Sequence, residues 1–150
     1  DNFLRTGAFT LDQPITHLLL AQQISWTEGD QIIGGVGANV SVFQNSATPA
    51  ISLFSGSIVA NNGGLALGSY GVITAVFNGA SSSLKINNGT ATTGNAGASN
   101  PGGITLCADN SSAASANMQI KELISFSSAL SSSNINRVIR YLSQVGQLGL

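Results

Sequence analysis

Apolar segments in this chain are short, and turn residues punctuate them at nearly regular intervals. Phe3 to Leu11 alternates loosely and stops at Asp12-Gln13-Pro14. Ile15 to Ile24 is apolar on both faces, as an interior strand should be, and Glu28-Gly29-Asp30 turns the chain after it. Gln31–Ile33, Val40–Phe43, Ile51–Phe54 and Ile58–Ala60 follow, the last running into a glycine turn at Asn61-Asn62-Gly63-Gly64. Tyr70 to Phe77 (YGVITAVF) is the best strand of the series, β-branched and apolar on both faces. Asn78-Gly79 turns it towards Leu84–Ile86, and Asn87-Asn88-Gly89 suits a tight hairpin because Asn and Gly tolerate left-handed backbone. Thr90 to Gly102 is small and polar and reads as a long surface loop. Gly103–Ala108 and Met118–Phe126 complete the strands. Short strands with frequent turns predict an all-β, antiparallel sandwich.

One segment has a different period. Ile135, Val138, Ile139, Leu142 and Val145 recur at three- and four-residue spacing, one apolar stripe of a helix. Ser131-Ser132-Ser133 offers N-caps, and Gly146 is placed to end the helix. The expected architecture is one domain over residues 1–150, a sandwich closed by a C-terminal helix. The chain opens on Asp1 rather than Met, so an upstream portion is expected, with this chain a C-terminal part of a longer protein.

Composition restricts what the surface can do. Five Lys/Arg and six Asp/Glu make 7% of the 150 residues, whereas ordinary domains carry roughly a quarter. Hydroxyls, amides and backbone must therefore cover the outside. A net charge of −1 without a basic cluster argues against nucleic acid and against a membrane-surface helix. The longest apolar run, Leu18 to Ala21, is far below the ~20 residues of a membrane span, so no membrane insertion is expected.

Chemistry-bearing residues are few. Glu28 and Asp30 are the closest acidic pair, and they sit in a glycine turn, not on one strand as a two-carboxylate glycosidase requires. His17 is the only histidine, and no nucleophile-elbow motif surrounds any serine. It reads as a packed strand residue. Cys107 is the only cysteine, in the apolar run Ile104–Ala108, and reads as a buried inert thiol. One His and one Cys cannot close a zinc site. Trp26, the only tryptophan, follows an interior strand; it either caps the core or, with Tyr70, offers a ring on which a sugar could stack. Asn39-Val40-Ser41, Asn88-Gly89-Thr90 and Asn110-Ser111-Ser112 are glycosylation sequons of little weight among 14 Asn. From these residues we expect a non-enzymatic chain.

Several segments together resemble the laminin-G/pentraxin-like branch of the concanavalin A-like lectin/glucanase superfamily. They are Ile73–Gly79 followed by Ser83–Gly89, then Gly103–Ala108, then Ile120-Lys121-Glu122-Leu123-Ile124-Ser125-Phe126 leading to Ala129-Leu130-Ser131. Each is weak alone, and their order is what carries the likeness. It implies a jelly-roll of two curved antiparallel sheets. Phage-encoded members look similar in their Ser/Asn/Gly-rich loops and in Phe3-Leu4-Arg5-Thr6-Gly7. By that likeness the chain is expected on a virion surface or outside a cell, as a structural or adhesion module that contacts other protein subunits, its own copies included. A lectin-like glycan-binding domain using Trp26 and Tyr70 is the alternative. The resemblance leaves calcium open, with Asp109 and Asn110, or Glu28 and Asp30, as oxygen donors; no other cofactor is expected. Family domains begin with a strand ahead of the Asp1-Asn2-Phe3-Leu4 position, so an open edge that invites pairing is expected here.

Overall fold

The computed structural model describes residues 3–46, 48–61 and 64–150. Among these residues the order is β1 (Leu4–Arg5), β2 (Ile15–Gln23), β3 (Gln31–Gly34), β4 (Ser41–Gln44), β5 (Ile51–Phe54), β6 (Ile58–Asn61), β7 (Tyr70–Phe77), β8 (Ser82–Ile86), β9 (Thr92–Gly94), β10 (Thr105–Leu106), β11 (Met118–Phe126) and α1 (Ser132–Gly146). The strands form two antiparallel sheets. One runs β1-β10-β3-β4-β5-β6 and the other β11-β2-β7-β8-β9. The fold is thus an all-β sandwich with one C-terminal helix, as the spacing of strands and turns predicts.

Alternation along β2 and β7 builds the middle of the molecule. Leu19, Ala21, Ile73, Ala75 and Phe77 point to the other sheet and meet Ile33, Val42, Leu53 and Val59 in one core. Leu18, Leu20 and Val72 point the opposite way, and α1 covers them with Ile139 and Leu142. Side chains two apart share a face, so an apolar run without polar interruption is what a strand buried on both sides requires. β2 pairs with β7 from Ile15↔Phe77 to Gln22↔Tyr70 without a slip.

The helix starts where the serines suggest. The Ser131 hydroxyl accepts from the Asn134 N–H at 3.4 Å. Its end differs from expectation: the left-handed residue is Gln147 (φ 56°), and Leu148 N–H bonds back to Ser143 O at 2.9 Å. Gly146 is still helical. A Cβ there would lie 3.0 Å from both Leu20 Cδ1 and Leu148 Cγ, so the glycine lets the helix approach the sheet. Val145 also departs from the stripe. The packed line runs Ile135, Ile139, Leu142, Gly146, and Val145 falls on its flank, 40% exposed.

Three further expectations change in extent. Phe3–Leu11 is a strand only at Leu4–Arg5; beyond it, Thr6 N–H still bonds Ile104 O and Phe9 N–H bonds Gly102 O. Gly103–Ala108 shrinks to Thr105–Leu106 because Cys107 takes a left-handed φ of 55°. The polar stretch Thr90–Gly102 contains β9, which pairs with β8. The rest of that stretch is tied down by Gln13, whose amide donates to Ser55 Oγ and to Ser99 O, each at 2.8 Å. Gly97 (φ +95°) sits so close to Ser55 that a Cβ would lie 2.0 Å from its carbonyl oxygen. Of the turn at Asn61–Gly64, Asn62 and Gly63 lie outside the described residues, as do Asp1 and Asn2 of the family-like opening.

Leu142 and Val145 differ by one helical turn and by complete burial against exposure. Leu142→Ala should cost about 2–5 kcal/mol of unfolding free energy in urea titrations, and Val145→Ala no more than about 0.5 kcal/mol.

Candidate functional site

The loop after β2 carries Trp26 and is held from beneath by buried amides. Gln44 Nε2 donates to Gln23 Oε1 at 2.7 Å and to Ser25 O at 3.0 Å, while its Oε1 accepts from Thr27 N–H at 3.0 Å. Gln23 donates in turn to Leu65 O. Two glutamines buried among apolar residues hydrogen-bond each other and the backbone, as buried polar groups must. Above them Trp26 is half-buried, and its indole N–H is buried with no hydrogen-bond partner.

Tyr70 opens β7 opposite Gln22, so it and Trp26 lie at the same end of the second sheet. Its ring is less available than the sequence suggests. The hydroxyl donates to Gln119 Oε1 at 2.7 Å, and the Lys121 ammonium lies 4.2 Å from the ring centroid. Cation–π contact at that range occupies the face on which a sugar would stack.

Asp109 organises its own loop. Oδ1 accepts from Ser111 N–H at 2.9 Å and Ala113 N–H at 2.8 Å, and the Ser111 hydroxyl lies within 2.9 Å of both carboxylate oxygens. Slight desolvation pushes this carboxyl up, but the hydrogen bonds from Ala113, Ser111 and Ser112 outweigh it and hold the group below its ordinary range. Asn110 offers its carbonyl to Arg5 Nη1 at 2.8 Å, which places a fixed cation over the loop. Glu28 is exposed in the turn before β3, and burial raises the Asp30 carboxyl despite a hydrogen bond from Thr27. Among the described residues no three His, Cys, Asp or Glu side chains gather as metal ligands would.

His17 points inward from β2. Its Nδ1 is 2.8 Å from Ser125 Oγ on β11, and its ring meets Phe77 edge-on with centroids 6.1 Å apart. Burial lowers its pKa from 6.5 to about 4, so the ring is neutral at ordinary pH. Cys107 is buried, and desolvation raises its thiol pKa. Both are core residues in this fold.

An open edge at the Phe3-Leu4 end is expected from the resemblance, but that β11 forms the edge facing it is not. β11 is the end strand of its sheet and β1 the end strand of the other. Between them lies an apolar depression of about 250 Å³ lined by Phe3, Leu4, Leu106, Cys107, Met118 and Ile120. On the other face of β11, a groove of about 380 Å³ runs along α1 past Ile124, Phe126, Leu130, Val138 and Tyr141. Phe3 and Leu4 are 43% and 60% exposed. Only one sequence signal marked this strand as unusual: Lys121-Glu122 interrupts the alternation of Met118–Phe126. In the structure that interruption is a β-bulge, with the register shifting between Ile120 and Glu122.

No protein-family model and no curated protein matches the sequence. By shape the chain is similar to the Trypanosoma rangeli sialidase, with a TM-score of 0.59, 13% identity, and coverage of 87% of this chain and 23% of that one. It is similar in the same way to the Trypanosoma rangeli sialidase in complex with sialic acid, with a TM-score of 0.61, 13% identity and the same coverage. At that identity the likeness is one of fold. It also corrects the expectation of a non-enzymatic chain, because a sandwich of this shape forms part of sialidases, which are enzymes. Scarcity of acids and histidines in one such segment does not set it apart from catalytic proteins.

The buried histidine makes stability depend on pH. An unfolded chain protonates His17 near 6.5, whereas the folded ring waits until about 4. Between those values the unfolded state holds more protons. The contribution is therefore complete above pH 6.5, is lost as the pH falls to 4, and levels off below. Chemical denaturation from pH 7 to pH 4 should show a loss of about 3 kcal/mol that His17→Gln removes.

Proposed function

We propose that this chain is a laminin-G/pentraxin-like jelly-roll of the concanavalin A-like superfamily, working as a structural or adhesion module of a virion or other extracellular assembly through contact with other protein subunits. The supporting observation is the open side of the sandwich. There two sheet edges lie next to each other, flanked by exposed Phe3 and Leu4 and by half-buried Met118 and Ile120. Unpaired strand edges with apolar neighbours favour pairing with another chain. The scarcity of charge supports the same reading, because a surface of amides and hydroxyls can be packed away without stranding ions.

A lectin-like module is the second reading, and Trp26 favours it. Its ring is partly exposed at the end of the sheet where Tyr70 also lies, although its indole N–H is buried. Tyr70 counts against this, since Gln119 and Lys121 already occupy it.

Light scattering on the purified chain separates the two. Assembly predicts an oligomer that persists with or without calcium and changes little between low and high salt. Trp26 is the sole tryptophan, so its fluorescence emission should stay constant when neutral or acidic oligosaccharides are added. A monomer under every condition, with emission shifting as an oligosaccharide is titrated, would replace assembly with glycan binding.

A further inference from the structure

We propose that two copies of this chain join β11 to β11 in antiparallel fashion about a two-fold axis between Lys121 and Glu122, making one continuous ten-stranded sheet from two five-stranded ones. This rests on the assembly reading above and names its surface and partner.

β11 is nine residues long and pairs on one side only, with β2. The other end strands described are far shorter, at two residues for β1, three for β9 and four for β6. β11 therefore presents the longest run of unpaired backbone N–H and C=O groups along any edge described. Lysines and bulges on edge strands usually discourage pairing, because two copies would set like charges together and the irregularity spoils the ladder. Here both features act the other way.

The bulge puts two consecutive residues on one face. Glu122 lies opposite Leu20, whose side chain packs under α1, and its carboxylate is close enough to Tyr141 on that helix to raise the phenol's pKa. Lys121 reaches the ring of Tyr70, which packs against the same outer cluster. Ile120 and Leu123 instead pack against the core between the sheets. Read along the strand, the faces run inner, outer, outer, inner from Ile120 to Leu123, which is symmetric about the Lys121–Glu122 bond. In a regular strand a two-fold axis between two residues would set inner side chains against outer ones, because the period is two. The bulge removes that mismatch.

The resulting register is self-complementary. Lys121 faces Glu122 of the second copy and Glu122 faces its Lys121, as an isologous interface demands. Ile120 faces Leu123, both on the core side. Gln119 faces Ile124, both on the helix side, and Met118 faces Ser125. Two opposite-charge pairs at the axis, matched faces on either side and apolar depressions flanking the strand all point to a second copy as the occupant. A neutral or uniformly charged segment would not use Lys121 and Glu122 together.

Concentration-dependent sedimentation of Lys121→Glu, Glu122→Lys and the double exchange tests this. Each single reversal puts like charges face to face twice and should raise the dimer dissociation constant about tenfold. The double exchange restores opposite charges and should return it towards wild type. Lys121→Glu leaves Glu122 beside Tyr141 unchanged, so it carries the test even if Glu122→Lys disturbs α1, which thermal unfolding would reveal. A wild-type dimer indifferent to Lys121→Glu would overturn this surface while leaving assembly standing. Single reversals that weaken the dimer without recovery in the double exchange would overturn the register. A wild-type chain monomeric up to millimolar concentration would overturn the pairing and self-assembly together.

Discussion

Everything else in this fold depends on the β2–β7 ladder, eight residue pairs in unbroken register and buried on both faces. Inward, it supplies Leu19, Ile73 and Phe77 to the core between the sheets; outward, it supplies Leu18, Leu20 and Val72 to the floor under α1. Fully burying one such side chain is worth about 1.5–3 kcal/mol, so these two strands carry a large share of the driving force for a chain this size. Because both faces are committed, a one-residue slip would exchange the two layers wholesale. The loop that carries Trp26 leaves from the end of this ladder that Tyr70 opens, and inherits its position.

Peripheral strands are weaker in proportion to their distance from it. β1, β9 and β10 have two or three residues each, and the segments next to them are held by side chains as much as by ladders. Gln13 reaches the turn at Gly79 as well as Ser55 and Ser99, and Arg5 reaches the Asn110 and Val36 carbonyls. The cations of this chain are spent largely on neutral acceptors: Lys85 on Asn136 and Lys121 on the Tyr70 ring. With so few carboxylates available, amide and carbonyl oxygens take the place that acids fill in ordinary domains.

Much of this was legible in the sequence. β2, β7 and the helix are marked by period alone, because burial on two faces, or on one stripe, leaves an unambiguous pattern. Residues whose role depends on distant neighbours were not legible. Gly146 sits at the helix end for the sake of Leu20, more than a hundred residues away, and the left-handed turn falls to Gln147 instead. Val145 keeps the stripe spacing yet is exposed. Trp26 and Tyr70 lie near a strand end, as their places in the sequence suggest, but nothing local shows that Lys121 covers one ring while the other keeps a buried, unpartnered N–H. Asp109 was a fair oxygen donor by type, and its commitment to Ser111 and Ala113 emerges only once the loop is folded. The open side of the sandwich depends on which strands end up at the edges, a property of topology that no local window contains.

If a second copy occupies the β11 edge, amide hydrogen exchange read residue by residue reports it most directly. Exchange should be slowest in β2 and β7, opening only with global unfolding, at every protein concentration. Along β11, amides directed away from β2 should exchange quickly in dilute solution and become protected as concentration rises. Outward amides of β11 that exchange equally fast at both extremes, while protection appears elsewhere on the surface, would contradict it.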